Sequence, residues 1–166
     1  MSIEHEIKQQ RPFPSHRQSA VVGLLRTADV VGRFVDSVIE RHGITGQQYN
    51  VLRILRGAGE RGLPTLEIAE RMIQATPGIT RLIDRLEAKE LVTRERCTTD
   101  RRQVFCCITR AGLDLLKQLD APVDAAGEAA LDALSHADIK QLTQLLDRAR
   151  DRVHQHIEKQ RKGVPS

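Results

Sequence analysis

Apolar residues along this chain recur mainly at steps of three and four, the period of amphipathic helices, and a single short region departs from it. The first 16 residues are polar, carry Pro12 and Pro14 and show no sustained period, so residues 1–16 are expected to form a flexible arm. From 17 to 41, Val21, Val22, Leu24, Leu25, Ala28, Val31, Phe34, Val35, Val38 and Ile39 make one stripe along a long helix, and His42-Gly43 supplies its stop. Thr45 precedes a shorter helix over 46–56, closed by the glycines between 57 and 62. Thr65 is placed to cap a helix that reaches Met72, with Ile68, Ala69 and Met72 on its buried side. Thr76 and Pro77 are expected to open the next helix, which runs to Lys89, as a capping residue followed by proline at the first helical position. On that helix Ile79, Leu82, Ile83 and Leu86 share one face, while Pro77, Thr80, Arg81, Asp84, Arg85 and Ala88 share the opposite one.

The helical period gives way only at 91–97 and 103–109. There Val, Thr, Phe, Ile and Cys supply the apolar content on either side of Thr98-Thr99-Asp100-Arg101-Arg102, a pattern that predicts a β-hairpin. Helix resumes after Thr109 through Leu113, Leu115, Leu116 and Leu119, and Pro122 is expected to break or kink it before an Ala-rich continuation to Leu134. Ser135 caps a last long helix striped by Ile139, Leu142, Leu145, Leu146, Ala149, Val153 and Ile157. The expected fold is therefore mainly α with a small β-wing: a winged helix-turn-helix flanked by long helices.

Composition narrows the function. The chain has 166 residues, 40% hydrophobic and 29% charged, which suits a soluble globular protein. No apolar run approaches the roughly 18 residues that span a bilayer. The opening Met1-Ser-Ile-Glu-His-Glu-Ile-Lys lacks the apolar centre of a secretory signal, and three cysteines with two adjacent do not form an even disulfide framework. A cytoplasmic protein without membrane association is expected. There is no GxSxG, P-loop, GxGxxG or HExxH, so no catalytic residue and no cofactor is assigned, and the chain is not expected to be an enzyme. His154 and His156 are two apart on a helix and point away from each other, so no metal site is expected.

Net charge is +4, and its location says more than its size. Between residues 71 and 110 nine basic side chains face five acidic ones, which accounts for the whole excess. Of 26 basic residues 20 are Arg, whose planar guanidinium suits phosphates and base edges, although a GC-rich genome produces the same bias. Three helices and a hairpin between 46 and 110, with a polar outward face on the third helix, fit a reading head whose recognition helix enters the major groove of double-stranded DNA. Arg81 and Arg85 can bond base edges, Thr80 can reach phosphate or a thymine methyl, and Arg101 and Arg102 stand where a wing meets backbone or minor groove. The stripes over 21–39 and 139–157 lie outside this unit and need cover. Pairing of two copies supplies it, making 17–45 and 111–162 dimerisation segments, while packing on the chain's own body is the other way to bury them. A winged module that binds proteins, or an architectural binder with little sequence preference, remain the alternatives to a sequence-specific regulator.

The run Thr65-Leu-Glu-Ile-Ala-Glu-Arg-Met, then Thr76-Pro-Gly-Ile-Thr-Arg-Leu-Ile-Asp-Arg-Leu-Glu-Ala-Lys, resembles the MarR family of bacterial transcriptional regulators. So do Leu91-Val-Thr-Arg-Glu-Arg, Asp100-Arg101-Arg102 and Ile108-Thr109-Arg110-Ala111-Gly112, together with Thr45, Gln48 and Leu52 at the start of a helix. The resemblance covers residues 44–116. It implies a homodimeric repressor that binds a pseudo-palindromic operator and responds to a small amphipathic or aromatic effector. Taken with the outward face, it marks Thr65, Thr76, Pro77, Gly78, Thr80, Arg81, Arg85, Arg94, Arg101 and Arg102 as DNA-binding residues, with Asp100 orienting a wing arginine. For Arg94 a structural salt bridge and a DNA contact are equally open. Glu90 stands where the family usually has glycine, which raises the question of how the chain leaves the recognition helix. Arg17, His42, Tyr49 and Arg53 are the polar groups expected to line an effector crevice between the dimer helices and the reading head. Some members of the family sense oxidants through thiols, and Cys97, beside Arg96, is the residue for that lesser alternative.

Overall fold

Side-chain caps decide where several of the helices begin. The computed structural model describes residues 2–96 and 104–162, which fall into two units, Met1–Gly127 and Glu128–Ser166. In the first unit, helix α1 (Ile3–Glu6) is one turn started by Ser2 within the segment expected to be irregular, and Glu6 accepts from Arg26 Nε at 2.8 Å. Helix α2 (His16–Glu40) starts at Ser15, whose hydroxyl accepts the Gln18 N–H at 3.2 Å. Helix α3 (Gly46–Ala58) opens on a capping box: Thr45 Oγ1 accepts the Gln48 N–H at 3.3 Å, and Gln48 Oε1 accepts the Thr45 N–H at 3.1 Å. Two orphan donors are satisfied reciprocally, which is the physical content of the Thr-x-x-Gln pattern.

Two helix starts differ from expectation. Helix α4 (Thr65–Arg71) is led by Pro64 and not by a Thr65 cap, because Leu63–Pro64 form a short strand, β1, that runs directly into the helix. Helix α5 (Ile79–Glu87) begins two residues beyond Pro77. Gly78 stands at its N-cap with φ +87°, a left-handed conformation that cannot lie inside the helix, and the Thr76 hydroxyl bonds back to the Gln74 carbonyl at 2.9 Å instead of capping.

Strands β2 (Val92–Arg96) and β3 (Val104–Ile108) pair antiparallel with Val92 opposite Ile108 and Arg94 opposite Cys106, and β1 joins the other edge of β3. Helix α6 (Arg110–Ala130) runs through Pro122 without interruption. Proline deprives the Gln118 carbonyl of its intrahelical donor, but Gln118 is exposed to water, while Leu116, Leu119 and Ala126 are buried on either side of Pro122. Gly112 lets α6 start close to the sheet: a Cβ there would fall 2.5 Å from the Leu91 carbonyl oxygen.

The core of this unit gathers Val51, Leu52 and Leu55 from α3, Ile68 from α4, Leu82, Ile83 and Leu86 from α5, Val92 and Cys106 from the sheet, and Leu116 and Leu119 from α6. Each fully buried aliphatic side chain is worth about 1.5–3 kcal/mol of transfer free energy. This packing fixes which face of α5 points outward. In the second unit, α7 (His136–Lys162) starts on a reciprocal cap, with Ser135 Oγ 3.2 Å from the Asp138 N–H and Asp138 Oδ2 accepting from the Ser135 N–H at 3.1 Å. No residue of α7 is buried, and Leu145, Val153 and Ile157 of its apolar stripe are exposed. Among the described residues, no helix is long and apolar enough to cross a membrane.

Candidate nucleic-acid interface

Helices α4 and α5 with the turn between them form the helix-turn-helix, and β2 and β3 form the base of the wing. With Leu82, Ile83 and Leu86 committed to the core, geometry leaves Thr80, Arg81, Asp84, Arg85 and Ala88 exposed on the other side of α5. The acidic group on that face is already engaged. Arg94 of β2 donates to Asp84 Oδ1 and to Glu87 Oε2, both at 2.6 Å, and reaches the Thr80 carbonyl at 3.4 Å. Burial works against its charge, but the hydrogen bond it donates to Asp84 and the charges of Glu87 and Asp84 prevail and hold the guanidinium above its ordinary value. Arg94 thus ties the wing strand to α5 and pairs with two carboxylates of that helix. Among the described residues, neither Arg81 nor Arg85 has a carboxylate within ion-pair distance.

The exit from α5 answers the question raised by Glu90. It adopts φ +58°, with its N–H bonded to the Glu87 carbonyl at 2.8 Å and the Leu91 N–H bonded to the Leu86 carbonyl at 3.0 Å. This is a complete Schellman cap built on a non-glycine residue. The Thr109 hydroxyl donates to the Glu90 carbonyl at 2.7 Å, which fastens the cap to the start of α6. Lys89 Nζ donates to the Gly43 carbonyl, tying the same helix end to the turn between α2 and α3.

The other anticipated residues scatter more widely. Pro77 and Gly78 are exposed in the turn before α5, and Thr76 is half-buried there. Thr65 is half-buried in the first turn of α4, its hydroxyl 3.8 Å from Cys106 Sγ. Asp100, Arg101, Arg102 and Cys97 lie outside the described residues. Cys106 is fully buried, and burial pushes the Cys107 thiol up, away from the character of a reactive thiolate.

Tyr49 and Arg53 come together: the Arg53 guanidinium lies 5.8 Å from the Tyr49 ring centroid. Both line a crevice of about 270 Å³ between α2 and α3, with Asp36 and Asn50 as further polar walls and Met72 to Gln74 of the helix-turn-helix turn on its margin. Burial first, and Glu40 second, raise the Asp36 carboxyl above its ordinary value. His42 and Arg17 are not part of this crevice. His42 Nδ1 faces the Val38 carbonyl at 3.4 Å, and Arg17 is exposed in the first turn of α2. Asp36 and Asn50 were not picked out by sequence reasoning, since each is an ordinary polar position on a helix until packing brings the helices together. Among the described residues, no group of three or more His, Cys, Asp or Glu is placed to hold a metal ion.

A helix-turn-helix whose second helix turns arginines outward, braced by an antiparallel wing, defines a winged helix-turn-helix protein of the DNA-reading class. Comparison with known proteins agrees with that class and narrows it. The model of the MarR family matches residues 42–103. The HTH-type transcriptional regulator MhqR of Bacillus subtilis (strain 168) is 32% identical over 110 residues, covering 66% of this chain and 74% of MhqR. The crystal structure of a MarR transcription factor from Planctomyces limnophilus is 39% identical and superposes with a TM-score of 0.63, over 82% of this chain and 98% of that one. CouR from Rhodococcus jostii RHA1, bound to p-coumaroyl-CoA, is 25% identical with a TM-score of 0.68, over 81% of this chain and 93% of CouR. The chain belongs to the MarR family and is a transcriptional regulator.

Proposed function

We propose that this regulator is a sequence-specific repressor that binds a pseudo-palindromic duplex as a homodimer and acts through binding, not catalysis. The observation that carries the reading is the outward face of α5, where, among the described residues, Arg81 and Arg85 have no carboxylate within ion-pair distance while Asp84 is occupied by Arg94. Thr80, Arg81 and Arg85 read base edges and adjacent phosphates. Thr65, Thr76, Pro77 and Gly78 approach the backbone from the turn side, and Arg101 and Arg102, oriented by Asp100, extend the contact from the wing. Residues 46–110 form the reading head in this account, with 1–16 as an arm and 17–45 and 111–162 as the dimerising segments. Exposed Val21, Leu24, Leu25 and Phe34 on α2, and Leu145, Val153 and Ile157 on α7, supply the apolar surface that pairing would bury.

Release from DNA follows occupation of the crevice by a small amphipathic or aromatic molecule. Tyr49 offers an aromatic wall and Arg53 a cation, a combination that suits a hydroxylated aromatic acid. CouR is bound to a coumaroyl thioester, which supports an aromatic ligand class for this fold. The volume is just below the roughly 300–1,000 Å³ of drug-sized sites, which favours a compact occupant.

Selection of bound duplexes from a random pool, followed by affinity measurements over a range of salt, tests the reading. Arg81→Ala is expected to relax base preference. Arg102→Ala is expected to weaken all duplexes alike and to flatten the salt dependence by about one charge. Sedimentation of the free protein reports the dimer. Recovery of no preferred sequence, with affinity indifferent to both substitutions, would refute the proposal.

A further inference from the structure

The seven residues between α4 and α5 set where the recognition helix begins relative to α3. One side chain outside the turn holds it: Asn50 Oδ1 of α3 accepts the Ile73 N–H at 2.9 Å, a bond between residues 23 apart in sequence. Among the described residues, no other side-chain hydrogen bond reaches this turn from outside it. Ile73 is 82% exposed, the Thr76 hydroxyl is spent on Gln74 within the turn, and Met72 packs half-buried against the core. Asn50 follows Tyr49 and precedes Arg53 by three residues on α3, so its carboxamide stands in the same crevice wall. Met72, Ile73 and Gln74 border that crevice as well. One carboxamide therefore faces the crevice and clips the turn from which the recognition helix departs.

We infer that Asn50 is a positioning residue for DNA reading: its bond to Ile73 fixes the aim of α5 and makes that aim sensitive to whatever occupies the crevice beside it. The inference rests on the DNA-binding function proposed above. Ile73 is at the surface, so water satisfies its N–H when the clip is lost. Removing the clip then changes the set of turn conformations more than it changes global stability.

The test uses the full chain as wild type, Asn50→Ala and Asn50→Asp. Each is measured against the duplex selected by wild type and a scrambled duplex of equal length, with thermal midpoints and amide exchange at Ile73. Asn50→Ala is expected to lower the ratio of selected to scrambled affinity by about fivefold, the worth of one neutral hydrogen bond, and to speed Ile73 exchange, with the thermal midpoint lowered by no more than about 2–4 °C. Asn50→Asp keeps an acceptor oxygen in place and is expected to retain both the ratio and the protection; taking the ratio cancels the effect of its added charge. An Asn50→Ala protein with wild-type ratio and Ile73 exchange, or an Asn50→Asp protein as impaired as Asn50→Ala, overturns the inference. If wild type does not distinguish the two duplexes at all, the DNA-reading proposal fails instead, and Ile73 exchange still decides whether the clip exists.

Discussion

Glu90 offers the sharpest stability prediction. It terminates α5 at φ +58°, where a side chain beyond glycine costs about 1–2 kcal/mol through its Cβ. Replacing it by glycine removes that strain but adds conformational freedom to the unfolded chain, worth about 0.4–1 kcal/mol in the opposite direction. The backbone bonds of the cap, Glu90 N–H to Glu87 and Leu91 N–H to Leu86, do not involve the side chain and survive the change, as does the bond from Thr109 to the carbonyl of residue 90. The net expectation for Glu90→Gly is a gain of about 0.5–1 kcal/mol, or roughly 1–4 °C in thermal midpoint for a chain of this length. Urea unfolding of wild type, Glu90→Gly and Glu90→Ala separates the causes. Alanine removes the same charge but keeps the Cβ, so only glycine should gain. Equal gains in both variants would assign the effect to charge, and a glycine variant no more stable than wild type would refute the strain argument.

Arg94→Met keeps much of the apolar stem but frees Asp84 and Glu87. It is expected to cost about 1 kcal/mol of stability by chemical denaturation and to weaken duplex affinity further than that, because Asp84 then turns its charge toward phosphate. Gly112→Ala drives a Cβ against the Leu91 carbonyl at 2.5 Å and Ile108 Cγ1 at 2.7 Å, so a loss of about 1–3 kcal/mol is expected in the same assay. The Asp36 carboxyl, raised by burial and then by Glu40, binds its proton more tightly folded than unfolded. Its contribution to stability therefore falls as pH rises from the ordinary 3.8 through the raised folded value. Asp36→Asn is expected to raise the thermal midpoint at neutral pH, with the gain vanishing below that range; a gain that persists in acid would point to another cause.

Much of the architecture follows from local rules that the sequence states openly. The stripe Ile79, Leu82, Ile83 and Leu86 determines which side of α5 is buried, and hence that Thr80, Arg81 and Arg85 face outward, since a helix of fixed pitch has only one way to satisfy it. Thr45 and Gln48 determine a helix start because both partners of the cap lie within one turn. Where a residue's neighbours along the chain and across the fold disagree, reading along the chain fails. Pro122 was expected to break or kink α6, and the helix runs on through it, with Leu116, Leu119 and Ala126 buried on either side. Thr76 and Pro77 make a sound local start, but Gly78 in the left-handed region moves the start onward. Strand β1 is two residues long, too short to leave a period, and exists only because β3 offers it an edge.

The sequence by itself determined the kinds of elements, their order and the chemistry of the reading face, because each depends on spacings of a few residues. Tertiary structure alone decided how those elements are tied. Arg94 became a brace across ten residues to Asp84, Asn50 a clip across 23 to Ile73, and Tyr49 and Arg53 the wall of a crevice that leaves out His42 and Arg17. A hydrogen bond depends on the approach of two groups to within about 3 Å, and only the packing of a shared core sets distances between segments to that precision.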